Sequence, residues 1–277
     1  MSADRPVPGL RTGVLLGLAL LAAGWPRAGG AGDLTAVYSA TWAGLPAAEI
    51  RLTLHDGAPR YDDSIDIRTR GLPHLFTHFR GTATATGRLS DKLPAAPSTY
   101  EAIYDLRRRR NRRINMRFVD RGGARVIERG PGDTSGKPPL PEKFRTNAVD
   151  PLSALERIRQ ALAAARGTGR SFTVPVYDGA RRFDVVGHVL PKDRQSPGTL
   201  RLTLTLQPVA GFKGPALRAG ARGDPSKGSS EDGDPDDAPR IVDLDVSDDA
   251  RLLPLRLTVP IWYLPLTVRL DPGANRR

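Results

Sequence analysis

Apolar and polar residues alternate with a period of two through nearly the whole chain. Leu34, Ala36, Tyr38, Ala40 and Trp42 alternate with Thr35, Ser39 and Thr41. Ala48, Ile50, Leu52 and Leu54 alternate with Glu49, Arg51, Thr53 and His55. The pattern returns at Ile65/Ile67, Tyr100 to Leu106, Ile114 to Phe118, and Phe172 to Val176. Leu200, Leu202, Leu204 and Leu206 give its cleanest instance, followed by Val242 to Val246, Leu255 to Val259 and Leu266 to Leu270. Successive side chains on a strand point to opposite faces, so each run predicts a half-buried strand. With weaker runs at Ala83/Ala85 and Phe183/Val185, the chain should hold about 10–12 strands. Asp178-Gly179, between two of them, predicts a tight hairpin turn because Gly accepts positive φ there.

One segment breaks the period. Asp150 is a good N-cap, Pro151 suits the first helical position, and Leu152, Leu155, Ile158 and Leu162 recur at helical spacing, with Gly167 and Gly169 beyond. The spacing predicts a helix over about 151–165. About eleven strands at about 4.8 Å make a sheet roughly 50 Å wide. One helix is only about 10–12 Å across. The expected fold is therefore mainly β, a large curved antiparallel sheet or an open or closed β-barrel wrapping one α-helix. Its apolar face must curl round the helix, pack on itself, or leave a cavity.

Composition adds location. Arg5 and Arg11, the apolar run Val14 to Ala23, the breakers Gly24 to Pro26 and the small residues Ala28 to Ala31 read as a secretory signal over 1–31. The run is too short for a bilayer-spanning helix. The remainder, 32–277, reads as one β-rich domain, soluble after cleavage in the periplasm of a Gram-negative envelope and not integral to the membrane. Residues 215–240 carry Asp224, Glu231, Asp232, Asp234, Asp236 and Asp237 with almost no large apolar residue, which predicts a disordered acidic loop. The chain has no cysteine, which removes disulfides, thiolate nucleophiles and Cys-based metal sites.

The 277 residues carry a formal charge of +12, and one cluster of it is local. Arg107, Arg108, Arg109, Arg110, Arg112 and Arg113 place six guanidinium groups in seven positions between two strand patterns. This reads as a hairpin tip seeking an anion. Export removes nucleic acid as the partner and leaves a lipid or other anionic envelope component, or the chain's own acidic loop. Trp42, Leu152, Leu155 and Trp262 are the candidate apolar lining of an interior site.

Catalysis finds no support. His74 and His78 stand at i, i+4 but without the Glu of a metalloprotease motif or a third ligand, so no metal is assigned. Asp62-Asp63 and Asp248-Asp249 read as solvated turn residues rather than an acid–base pair. Ser153 and Ser171 sit in no nucleophile motif, and no cofactor is implied.

Five pieces in order resemble an uncharacterised family of exported bacterial proteins, the domain of unknown function 3108. They are Tyr38 to Leu45, Thr69 to Leu72, Asp150 to Leu155, Val176 to Phe183 and Asp248 to Leu255. The resemblance implies an exported β-rich envelope protein and brings no catalytic residues with it. The leading reading is a non-enzymatic periplasmic protein that holds an apolar or amphiphilic, lipid-like molecule in the concave face of its sheet. The alternatives are an envelope scaffold with a fully packed interior, an outer-membrane barrel and a cell-wall hydrolase.

Overall fold

The computed structural model describes residues 33–272, apart from 58, 72–78, 91–92, 107–108, 137, 166–168, 170, 192–195, 213–237 and 262–263. The expected leader and most of the expected acidic loop lie outside the described residues. Seven strands come first: β1 (Asp33–Trp42), β2 (Leu45–Gly57), β3 (Arg60–Thr69), β4 (Arg80–Arg88), β5 (Ala96–Leu106), β6 (Arg109–Arg121) and β7 (Ala124–Arg129). Two helices follow, α1 (Glu142–Arg145) and α2 (Pro151–Ala165). The last six strands are β8 (Ser171–Tyr177), β9 (Arg182–Val189), β10 (Thr199–Ala210), β11 (Arg240–Ser247), β12 (Pro254–Ile261) and β13 (Leu264–Leu270).

All thirteen strands form one sheet, in the order β7-β6-β5-β4-β3-β2-β1-β13-β12-β11-β10-β9-β8. Every neighbouring pair is antiparallel, and the two meanders are joined where β1 meets β13, with Tyr38 opposite Leu270 and Trp42 opposite Leu266. The protein is mainly β, as its alternating pattern predicts.

The sheet's two edges, β7 and β8, are bridged by one short segment. Val126 of β7 pairs with Thr146 in antiparallel sense, and Val149 pairs with Val176 of β8 in parallel sense. The change of sense takes place at Asn147, whose φ is 55°. Asn147 N–H donates to Arg125 O at 2.7 Å, and Asn147 Oδ1 accepts from Arg125 N–H at 3.2 Å. On the other side, Val149 N–H donates to Pro175 O and Tyr177 N–H to Val149 O. An unpaired strand edge leaves backbone donors and acceptors unmet, and this segment satisfies part of both edges at once.

Helix α2 starts two residues past Val149 and runs along the inner face, packing on β3, β4, β5, β8 and β9. Its buried side chains divide the core. Leu152 joins the cluster of Ala36, Tyr38, Leu52, Leu54, Tyr61, Tyr100, Met116 and Phe118 from the N-terminal strands. Ala154, Ile158 and Leu162 join Val174, Val185, Leu202, Leu204, Val242, Leu244 and Val246 from the C-terminal strands.

Four details differ from the pattern-based expectation. The sheet has thirteen strands because β7 is added; Val126 and Ile127 are consecutive and both buried, so it shows no alternation. Asp63 is not a solvated turn residue but fully buried in β3, on the same face as Tyr61. The Asp178 turn spans four residues, with Asp178 Oδ1 accepting from the N–H groups of Ala180 and Arg181. The Arg run is mostly strand: β5 and β6 pair as far as Leu106 opposite Arg109.

Candidate functional site

The inner positions of β4 are Gly81, Ala83, Ala85 and Gly87, opposite Ile67, Ile65, Asp63 and Tyr61 of β3. Such residues bring almost no side-chain volume to a face that must be filled to interior density. At one end the deficit is met by Tyr61, whose ring occupies the space a Gly87 side chain would take. At the other end Phe79 stands over Gly81, but the space beside Ala83 is left open. There an apolar pocket of about 420 Å³ opens between Gly81 and Ala83, Ile65 and Ile67, Tyr100, Ala102 and Tyr104 of β5, Phe79, and the Pro151–Leu152 start of α2.

The helix start behind the pocket is polar and buried. Asp150 is fully buried, and its Oδ1 accepts from Leu152 N–H at 3.0 Å and Ser153 N–H at 2.7 Å, an N-cap in the expected place. Burial pushes its carboxyl up from the ordinary value to about 6. Ser153 Oγ lies 2.7 Å from Tyr61 Oη, a hydrogen bond between buried hydroxyls. One turn on, buried Glu156 pairs with Arg159 at 2.6 Å. The phenols of Tyr38, Tyr61 and Tyr100 are all held above their usual range by burial. Tyr100, the one of the three that lines the pocket, therefore stays neutral at physiological pH.

Of the residues expected to line an interior site, Leu152 does so. Leu155 packs against the N-terminal core cluster instead. Trp42 is partly buried, with its indole N–H hidden and without a hydrogen-bond partner. Trp262 lies outside the described residues.

Arg107 and Arg108 lie outside the described residues, and Arg109 and Arg110 are described only as β6 backbone. Arg112 is opposite Tyr104, a pocket residue, and its guanidinium donates to Thr134 O. Arg113 pairs with Glu101 at 3.0 Å, and its N–H donates to Thr134 Oγ1. Two of the six arginines are thus engaged by the chain itself at the pocket's end of β6.

His74 and His78 lie outside the described residues. Among the described residues no three His, Asp or Glu side chains gather in a metal-holding group. His188 Nδ1 is 3.2 Å from Ser171 Oγ at an exposed position. Asp249 organises its own turn, accepting from Ser247 Oγ, Arg251 N–H and the Arg251 guanidinium. Sequence reasoning missed Tyr61, Asp63 and the pocket residues of β4 and β5. Tyr61, Asp63, Ile65 and Ile67 do form a period-two series, which could have identified Asp63 as inward-facing.

Among the described residues no helix is long and apolar enough to cross a membrane. A family model described as "Protein of unknown function (DUF3108)" matches residues 37–268. No curated protein matches the chain. Among solved structures it is similar to the "Beta-barrel-like Protein of Domain of Unknown Function DUF1849 from Brucella abortus", with a TM-score of 0.50 and 8% identity over 86% of this chain and 94% of that one. At that identity the likeness concerns the fold alone, a barrel-like sheet.

Proposed function

The chain belongs to DUF3108, a family of unknown function, and from that premise we propose that it is a non-enzymatic protein of the periplasm that binds a lipid-like molecule inside its curved sheet. The observation that carries this reading is the pocket of about 420 Å³ lined by Ile65, Ile67, Phe79, Ala83, Ala102 and Leu152. Its size falls within the range of small-molecule sites, about 300–1,000 Å³. Its apolar walls favour an alkyl chain over a polar metabolite, because burying unpartnered polar groups costs free energy. Arg112, opposite Tyr104, puts positive charge at the same end, suited to an anionic head group. The leader-like residues 1–31 support export.

Native mass spectrometry tests this on protein purified gently from the envelope, alongside Ala83→Trp, which fills the pocket. The expected result is a lipid-mass adduct on the wild type that heat or organic solvent removes and that the variant lacks. A clean mass for the wild type, before and after incubation with envelope lipids, overturns the reading and leaves the envelope scaffold in its place.

A further inference from the structure

We infer that the opposite end of α2 carries a second binding site, one for an organic anion with an apolar body. The site is an open cleft of about 640 Å³ between the C-terminal half of α2, the β4–β5 connection and the start of β8. It shares no lining residue with the pocket at the helix start.

Arg157 supplies the positive charge. This partly buried side chain donates its Nε–H to Ala95 O at 3.1 Å. It forms no ion pair with a described carboxylate; the Asp150 carboxylate and the Arg125 guanidinium act on it through space, in opposite senses. With Nε engaged, the guanidinium keeps two Nη groups, a pair of donors that can take a carboxylate through two parallel hydrogen bonds, and Arg157 is among the residues lining the cleft. A cation withdrawn from water without a counter-ion is unfavourable, and an anionic ligand would relieve that cost.

The cleft's wall is fixed and largely apolar. Gln160 Oε1 accepts from Ala95 N–H at 2.6 Å, and Gln160 Nε2 donates to Ser90 O at 3.3 Å, which ties α2 to the β4–β5 connection beside Arg157. Leu93, Phe172, Val174 and Ala164 give the cleft its apolar surface, beside the polar Ser90 and Thr173. Leu93 is 68% exposed, a large apolar side chain left standing at the lip. A charge at one point and an apolar wall around it match an alkyl carboxylate, and neither a free inorganic anion nor an uncharged alkane chain would use both.

Titration calorimetry of the purified protein with decanoate, acetate and decanol tests the assignment. Decanoate should bind the wild type and Ala83→Trp alike, while acetate should show no measurable binding. Arg157→Gln, which keeps hydrogen-bonding capacity but no charge, should weaken decanoate by about tenfold or more. Ala164→Trp, at an exposed helix position, should fill the cleft and produce a similar loss with the arginine intact. The inference is overturned if decanoate does not bind the wild type, or if both cleft variants bind it as the wild type does. It is also overturned if decanol binds as tightly as decanoate. Loss in Ala83→Trp alone would assign decanoate to the other pocket and equally overturn the second site.

Discussion

The Tyr61 ring fills the space beside Gly87, its direct partner across the β3–β4 ladder. A Cβ at Gly87 would overlap ring atoms and the hydroxyl of that tyrosine. Phe172 and Gly187 repeat the relationship across β8 and β9. An aromatic ring covering a glycine lets a strand bend closely while keeping the interior full. Along β4 this determines where the interior is solid and where it is open. Tyr61 closes the space at Gly87, and at Ala83 the facing Ile65 is too small to do the same, which leaves the pocket.

Replacing Gly87 with Ala should therefore destabilise the protein by overpacking, by about 1–3 kcal/mol. For a domain of this size the melting temperature should fall by about 2–4 °C per kcal/mol. Thermal denaturation followed by circular dichroism measures it. A melting temperature unchanged from the wild type would show that the ring moves aside at no cost and that the pair does not shape the interior.

The seam gives a second expectation. Asn147 combines a left-handed backbone with a side-chain hydrogen bond to Arg125, so Ala and Gly at this position separate the two contributions. Asn147→Gly keeps the backbone conformation and should lose about 1 kcal/mol with the hydrogen bond. Asn147→Ala adds the strain of a non-glycine residue in that region and should lose about 1 kcal/mol more. Hydrogen exchange should quicken first at Asn147, Val149 and Tyr177, the seam residues whose N–H groups bridge the two edges. Uniform exchange across the sheet, with no gain at the seam, would argue against closure there.

The strands were legible because a two-residue period survives wherever one face is buried and the other wet, as along Leu200 to Leu206. The helix was legible from Asp150, which caps it, and Pro151, its first residue. What failed had physical causes. In β7 Val126 is buried on one side and Ile127 on the other, so the wet face that generates alternation is missing. The Arg run read as a hairpin tip because charge resembles solvation, yet the β5–β6 ladder runs into it, with Arg109, Arg112 and Arg113 paired and Arg113 matched by Glu101. The pocket depends on which small residues of β4 face which side chains of β3 and β5, and that register is fixed only once the strands pair.

Asp150 gives a pH dependence whose sign follows from its environment. Its carboxyl titrates at about 6 in the folded chain because burial penalises the charged form, against an ordinary value of 3.8. Below about pH 4 the group is protonated whether folded or unfolded and imposes no penalty. As pH rises through about 6 the folded state must ionise a buried carboxyl, so the stability this group contributes at low pH is lost and stays lost above. Asp150→Asn removes the charge and keeps an oxygen to accept from Leu152 and Ser153, and Asn caps helices as well as Asp. The variant should be more stable than the wild type at pH 7.5, by up to about 3 kcal/mol for a shift of about two units. That advantage should shrink to nothing near pH 4. Asp150→Ala should lose about 1 kcal/mol of capping relative to Asn at every pH. Denaturant unfolding of the three proteins at pH 4, 6 and 7.5 measures each difference. A wild type whose stability relative to Asp150→Asn does not change across that range would show that the carboxyl finds a compensating partner when it ionises.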